Sequence, residues 1–197
     1  MANNLRFDKI LVMDLELTCW SDDVPPAGER PEIIEIGLAE VDLRAGTYTR
    51  STSQLIRNTE STVSAYCTDL TSLTQARIDA EGLPLGEALN RLAKRWPLRT
   101  RPVYVWGDDV DALLADCRRK GARTDIFPDA HDLHAIFRTL AQAAGGARPG
   151  SGSGVSVETA LAMLDLGFEG TPHRAEDDAR NTGRILLDLA RRCWTQT

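Results

Sequence analysis

Lys9-Ile-Leu-Val-Met-Asp-Leu-Glu-Leu17 is a near-continuous apolar run interrupted by two acids, Asp14 and Glu16. Such a run, followed by the breaker-rich segment Ser21–Pro31 (SDDVPPAGERP), predicts a strand buried on both faces. Alternate residues of a strand share a face, so the two carboxylates project together, about 6–7 Å apart along it. Carboxylates inside an apolar strand are costly unless paired or bound to metal. The plainer explanation places them at the strand's solvated end, which is more ordinary for one acid than for a pair.

Reading outward, Glu32–Val41 (EIIEIGLAEV) predicts a second strand, the segment around Gly46 a hairpin turn, and Tyr48–Ile56 a third strand, so the chain opens as an antiparallel meander. Helical spacing then runs over Thr68–Gly82 and Leu85–Trp96. Pro102–Trp106 predicts a short strand, Asp109–Lys120 a helix, the neighbourhood of Ile126 another short strand, and Leu133–Ala144, Ser156–Leu166 and Asp178–Trp194 three further helices. Residues 145–154 (GGARPGSGSG) read as a flexible loop within the domain. The pattern is α/β with one mixed sheet.

Of 197 residues, 42% are hydrophobic and 26% charged, which is ordinary for a soluble globular protein and enough to bury a core in one domain. Acids number 29 against 23 bases, a net charge of −6 that argues against bulk coating of nucleic acid but leaves room for a local phosphate site. No stretch approaches the roughly 20 apolar residues of a membrane span, so no membrane partner is expected. The opening MANNLRFDK lacks a signal peptide's apolar core, and Cys19, Cys67, Cys117 and Cys193 are too scattered for a disulfide framework or zinc site. A reducing, cytoplasmic setting is therefore expected. Cys19 and Cys117 read as small buried apolar residues, and His131 and His134, beside a predicted helix start, as structural.

Two more places stand out. Trp106-Gly-Asp-Asp109 sits where a strand turns into a helix, and Asp109 falls at or near the N-cap, a favoured position for Asp in any protein. Asp108 and Asp111 compete with it, but Val110, Leu113 and Leu114 set the helix's apolar face in a way that favours Asp109. In Thr171-Pro-His-Arg-Ala-Glu-Asp-Asp178, the acids of the first helical turn complement the helix dipole, but this does not account for His173, five residues before Asp178. A histidine beside a carboxylate metal site is a candidate base. Carboxylate oxygens suit Mg²⁺ or Mn²⁺, and no soft ligand lies nearby to favour zinc.

The motifs D-x-E at Asp14 and Glu16, Asp109 with apolar Leu113 four residues on, and H-x4-D at His173 and Asp178 resemble, in order and spacing, the DEDDh 3′–5′ exonucleases of the DnaQ-like, ribonuclease H-like superfamily over roughly residues 7–192. Asp14–Trp20 (DLELTCW), Cys67–Gln75 (CTDLTSLTQ) and Phe168–Asn181 (FEGTPHRAEDDARN) are similar to the subgroup of histone-mRNA and small-RNA trimming enzymes. One departure is that Asp108 stands where that subgroup carries an aromatic residue, in a loop one residue short.

The resemblance implies a ribonuclease H-like α/β fold with a mixed central sheet of about five strands flanked by helices, in a single exonuclease domain over 1–197. It implies two Mg²⁺ or Mn²⁺ ions about 3.5–4 Å apart. Asp14 would bridge them, Glu16 and Asp178 would complete one site, Asp109 would hold the other ion, and His173 would accept the proton of the attacking water. The substrate would be a single-stranded RNA or DNA 3′ end, with RNA favoured, released as nucleoside 5′-monophosphates. Leu17 and Thr18 are expected to touch the terminal nucleotide. Trp20 is expected either to stack on a base or to pack in the core.

DLELT is also similar to the D-x-D-x-T nucleophile motif of haloacid-dehalogenase phosphatases, with Gly107-Asp-Asp109 as their acidic motif, but Glu16 is a methylene too long and His173 and Asp178 would have no task. A non-catalytic regulatory protein on the exonuclease fold is the other alternative, and the presence of all five residues speaks against it.

Overall fold

The computed structural model describes residues 5–144 and 154–194. Its sheet has five strands: β1 Lys9–Leu17, β2 Ile33–Asp42, β3 Thr47–Leu55, β4 Val103–Val105 and β5 Ala130–Asp132, in the spatial order β3-β2-β1-β4-β5. The first three form the expected antiparallel meander, whereas β4 lies parallel to β1, and β5 parallel to β4. The sheet is therefore mixed, and β1 is the strand at which its sense changes.

The period of two in β1 divides the molecule into layers. Leu11, Met13 and Leu15 enter a core with Leu85, Leu89 and Leu92 of helix α3 (Leu85–Arg95) and with Leu113 and Cys117 of α4 (Asp109–Arg119). Ile10 and Val12 face the other way, against Ala179 and Leu187 of the long helix α7 (Ala175–Trp194). Helices α5 (Leu133–Ala143) and α6 (Val157–Met163) pack beside α7 through Phe137, Leu161 and Ile185. Asp14 and Glu16 continue the even-numbered row, which brings them to the α7 side.

Small residues let α7 lie close on the sheet. A Cβ on Gly37 of β2 would fall 2.0 Å from the Ala175 carbonyl carbon, and one on Gly183 would fall 2.9 Å from Val41 Cγ2. Ala175 and Ala179 complete this stripe and are fully buried.

Four boundaries differ from expectation. The helix predicted over Thr68–Gly82 is two helices, α1 (Ala65–Thr71) and α2 (Gln75–Glu81). Ser72 takes a left-handed conformation (φ 61°) that ends α1, and the Thr74 hydroxyl caps the Arg77 amide to start α2. The strand expected near Ile126 is absent there; Ile126 is a buried loop residue, and the ladder to β4 forms at Ala130–Asp132 instead. Helix α7 begins at Ala175, three residues before Asp178, and α6 ends at Met163 rather than near Leu166. The predicted 145–154 loop lies almost wholly outside the described residues. Among the described residues, no helix is long and apolar enough to cross a membrane.

His134 and Cys117 have the structural roles expected of them. His134 Nε2 accepts from the Val155 amide, its ring packs on Trp106, and Cys117 is buried in the core. Cys19 is only half-buried.

Candidate active site

Asp14 lies opposite Gly37, and Glu16 opposite Glu35, in the ladder between β1 and β2, near the C-terminal end of β1. The first turn of α7 brings Asp178 over them. One carboxylate oxygen from each of Asp14, Glu16 and Asp178 falls within 4.8 Å of the others. Asp178 is far from the other two in the chain but close in space because α7 rests on glycine and alanine.

Burial and mutual repulsion raise every carboxyl of this group. Burial, then the charges of Asp109, Asp178 and Glu16, push Asp14 well above the ordinary range. Glu16 rises to about 8, by burial and then by Asp178 and Glu35. Asp178 rises to about 7, by burial and then by Glu158, although the His173 and Arg174 amides pull it down. Asp109 also rises to about 7, by burial first and Asp108 second, against a hydrogen bond from the Leu15 backbone.

Asp109 is the first residue of α4, with Asp108 in the cap position. Asp108 and Asp111 are exposed, whereas the Asp109 Oδ2 atom is buried and has no hydrogen-bond partner. An unpartnered buried oxygen beside three crowded carboxylates is what a cation would satisfy. A donor set made only of hard oxygens fits a divalent ion of the Mg²⁺ or Mn²⁺ type.

His173 is exposed and sits at φ 59° in the turn entering α7, a left-handed conformation that costs a non-glycine residue about 1–3 kcal/mol. Neighbouring bonds hold the turn. Arg174 N donates to Asp178 Oδ2 at 3.1 Å, and Thr171 N to Asp177 Oδ2 at 2.8 Å.

Of the expected substrate contacts, Thr18 is buried, and its hydroxyl is already engaged by the Glu32 amide at 3.0 Å and by Ser61 Oγ at 2.9 Å. Its structural task is to tie the end of β1 to β2 and to the 58–61 turn. Leu17 is half-buried, and its carbonyl accepts from the Cys67 thiol at 3.6 Å. Trp20 lies outside the hydrophobic clusters and lines an open groove of about 550 Å³ with Val24, Pro25, Pro26 and Tyr66. Tyr66 is 43% exposed and precedes the Cys67–Gln75 motif, with no sequence signal of its own. The Cys67–Gln75 stretch builds the α1–α2 corner: Cys67 is buried, and Gln75 bonds Asn58 and the Val63 amide.

The Exonuclease (RNase_T) family profile matches residues 11–186, nearly the whole described fold. The chain belongs to the exonuclease family. This exonuclease is 31% identical over 207 residues to the 3′-5′ exonuclease Snipper of Drosophila melanogaster, covering 94% of this chain and 70% of the relative. It is 26% identical to ERI1 exoribonuclease 2 of Mus musculus, spanning 92% of this chain but only 28% of that protein. Among solved structures, the nuclease domain of 3′hExo, a DEDDh family member bound to rAMP, superposes with a TM-score of 0.78 at 20% identity, over 94% of this chain and 92% of that one. The enzyme class is accordingly a 3′–5′ exonuclease, and its fold is that of the ribonuclease H-like nucleases. The phosphatase alternative finds no support in this membership.

Two further acids, Glu32 just before β2 and Glu35 within it, are fully buried and were not among the expected site residues. Both carry the same signal as Asp14 and Glu16, a charge in an apolar stretch that needs a partner. Glu32 accepts from the Thr59 and Glu60 amides at 2.9 and 2.7 Å and pairs with Lys120 at 2.8 Å.

Proposed function

We propose that this exonuclease shortens single-stranded nucleic acid, RNA before DNA, from the 3′ end, and releases nucleoside 5′-monophosphates. The observation that carries the reading is the convergence of Asp14, Glu16 and Asp178 beside the unpartnered Asp109 oxygen. Asp14, Glu16, Asp109 and Asp178 would hold two divalent cations, Mg²⁺ or Mn²⁺. Bound there, such ions activate water and stabilise the leaving oxygen.

The remaining work falls to other residues. His173, on the exposed rim, would take the proton of the attacking water at a ring nitrogen. The Trp20–Tyr66 groove would stack a base near the terminal phosphate, and Leu17, at the exit of β1, would pack against the last sugar or base. The preference for RNA is supported by the exoribonuclease name of the mouse relative and by the nucleotide bound to 3′hExo. We place the enzyme in the cytoplasm as one catalytic domain, a reading that the free thiols of Cys19, Cys67 and Cys117 support.

The test offers the purified protein 5′- and 3′-labelled RNA and DNA, single- and double-stranded, with Mn²⁺ and then with excess chelator. A ladder from the 5′ label, mononucleotides from the 3′ label and silence in chelator are expected. Degradation from the 5′ end, or full activity in chelator, overturns the reading.

A further inference from the structure

Glu35 is the fully buried neighbour of Glu16 on β2, yet it is no part of the carboxylate trio. Its two oxygens are used up by the turn that carries His173. Oε1 accepts from Arg174 Nη2 at 2.7 Å and from the Ser53 hydroxyl of β3. Oε2 accepts from Arg174 Nε at 3.2 Å and from the Ala175 amide at 3.1 Å. The guanidinium thus grips the carboxylate in a two-pronged fork, the geometry that constrains orientation most. Gly37, two residues along β2, has no side chain where the Ala175 backbone passes, so the whole turn is drawn down onto the strand.

Arg174 and Ala175 are the two residues immediately after His173, and His173 is in a left-handed conformation, which is costly for a residue that carries a side chain. Four donors on one buried carboxylate fix the two residues that follow it. With them is fixed the direction from which its exposed ring meets the rim of the site. Burial raises the Glu35 carboxyl, but the hydrogen bonds from Arg174 and Ser53 outweigh this and hold it below the ordinary value, so the grip is ionic at neutral pH.

We propose that Glu35 and Arg174 form a clamp that positions His173 for its role in the reaction, with Ser53 and the Ala175 amide as its anchors. Neither residue of the clamp touches substrate in this assignment. The proposal rests on the base role proposed above for His173.

The test is a double-mutant cycle on a 5′-labelled oligoribonucleotide at saturating Mn²⁺, with kcat, KM, Mn²⁺ affinity and melting temperature followed for each variant. Arg174→Ala is expected to lower kcat about 10- to 100-fold, as misplacement of a reacting group does, while KM and Mn²⁺ affinity stay within about threefold. Guanidinium, added at concentrations too low to unfold the protein, is expected to restore part of the kcat. In a His173→Ala background, Arg174→Ala should cost no more than about a further twofold, the margin within which independent effects would otherwise multiply.

Because Arg174→Ala leaves Glu35 buried without its counter-ion, the pair Glu35→Gln with Arg174→Met serves as the second variant. Both charges go together, and the expectation is a folded protein with the same loss of kcat. Losses that multiply in the His173→Ala background, a defect in KM or Mn²⁺ affinity instead of kcat, or a double variant with undiminished kcat would overturn the clamp. A His173→Ala enzyme as fast as wild type would instead overturn the base role itself, so the two failures are told apart.

Discussion

At Asp178 three influences meet: burial in the first turn of α7, the nearby charge of Glu158, and two amides of the His173 turn that favour the ionised form. Removing any one charge of the trio relieves repulsion but also removes one of the proposed cation ligands. Asp14→Asn and Asp178→Asn are therefore each expected to keep the fold, with a melting temperature in chelator no lower than wild type. Their turnover should fall more than about 100-fold, beyond the loss typical of groups that only support metal ligands. Nuclease assays and thermal melts on the same preparations check this. His173→Ala should retain Mn²⁺ binding by calorimetry and lose about 10²- to 10⁴-fold in kcat, the range of a general base. Asp108→Ala, by contrast, removes an exposed charge that raises Asp109, and activity should change by less than about fivefold.

The contact between β2 and α7 decides whether these residues meet at all. Gly37→Ala forces a methyl group to within 2.0 Å of the Ala175 backbone, where no flexible side chain can give way. A loss of about 3 kcal/mol or more in chemical denaturation is expected, at the upper end of overpacking costs. Activity per folded molecule should fall as well, because Asp178 rides on the displaced helix. The β1–β2 loop and α1 carry Trp20 and Tyr66 and are pinned together by the Ser64 hydroxyl donating to the Cys19 carbonyl at 2.6 Å. Trp20→Ala should raise KM about 10-fold on single strands with little change in kcat, since one stacked base contributes about 1–3 kcal/mol. An unchanged KM with a lowered melting temperature would return Trp20 to a packing role.

For the molecule as a whole, charge and pH tell one story. Setting the four site acids aside leaves 25 acids against 23 bases, so most of the net charge of −6 is concentrated at the site. In metal-free protein, Glu16, Asp109 and Asp178 titrate near 8, 7 and 7, above their unfolded values near 4 to 4.5. The folded state therefore holds more protons than the unfolded state across that window, and stability falls as pH rises from about 5 to 8. Glu32 has the opposite sign. Burial opposes its ionisation, yet the Lys120 pair and the Ser61 hydroxyl hold it down to about 2, so its contribution, on the order of 3 kcal/mol, is lost as pH drops from about 4.5 through 2. In chelator, melting temperature should peak near pH 5 and decline on both sides. Mn²⁺ should remove the alkaline decline, with a larger stabilisation at pH 8 than at pH 6. A flat profile in chelator between pH 5 and 8 would contradict the crowded-carboxylate site.

Much of this was legible in the chain. The two-residue period of Lys9–Leu17 placed Asp14 and Glu16 on one face, because strand geometry permits no other arrangement. The three motifs in order pointed to the exonuclease family, and the meander followed from turn residues and alternating strands. What local sequence could not determine was distance and direction. Ser72 in a left-handed conformation broke a helix that periodicity made continuous, and β5 formed at Ala130–Asp132, where pairing with β4 was available, rather than at apolar Ile126. Thr18 turned inward to Glu32 and Ser61, and the preference for Asp109, which rested on the apolar face set by Val110, Leu113 and Leu114, gained the support that α4 buries an Asp109 oxygen and leaves Asp108 and Asp111 exposed. The Glu35–Arg174 fork joins residues 139 positions apart, a pairing that no period encodes. Sequence determined which side chains share a face, since that depends only on backbone repeat. Tertiary structure alone decided which faces touch, because that depends on how closely Gly37, Ala175 and Gly183 let α7 approach the sheet.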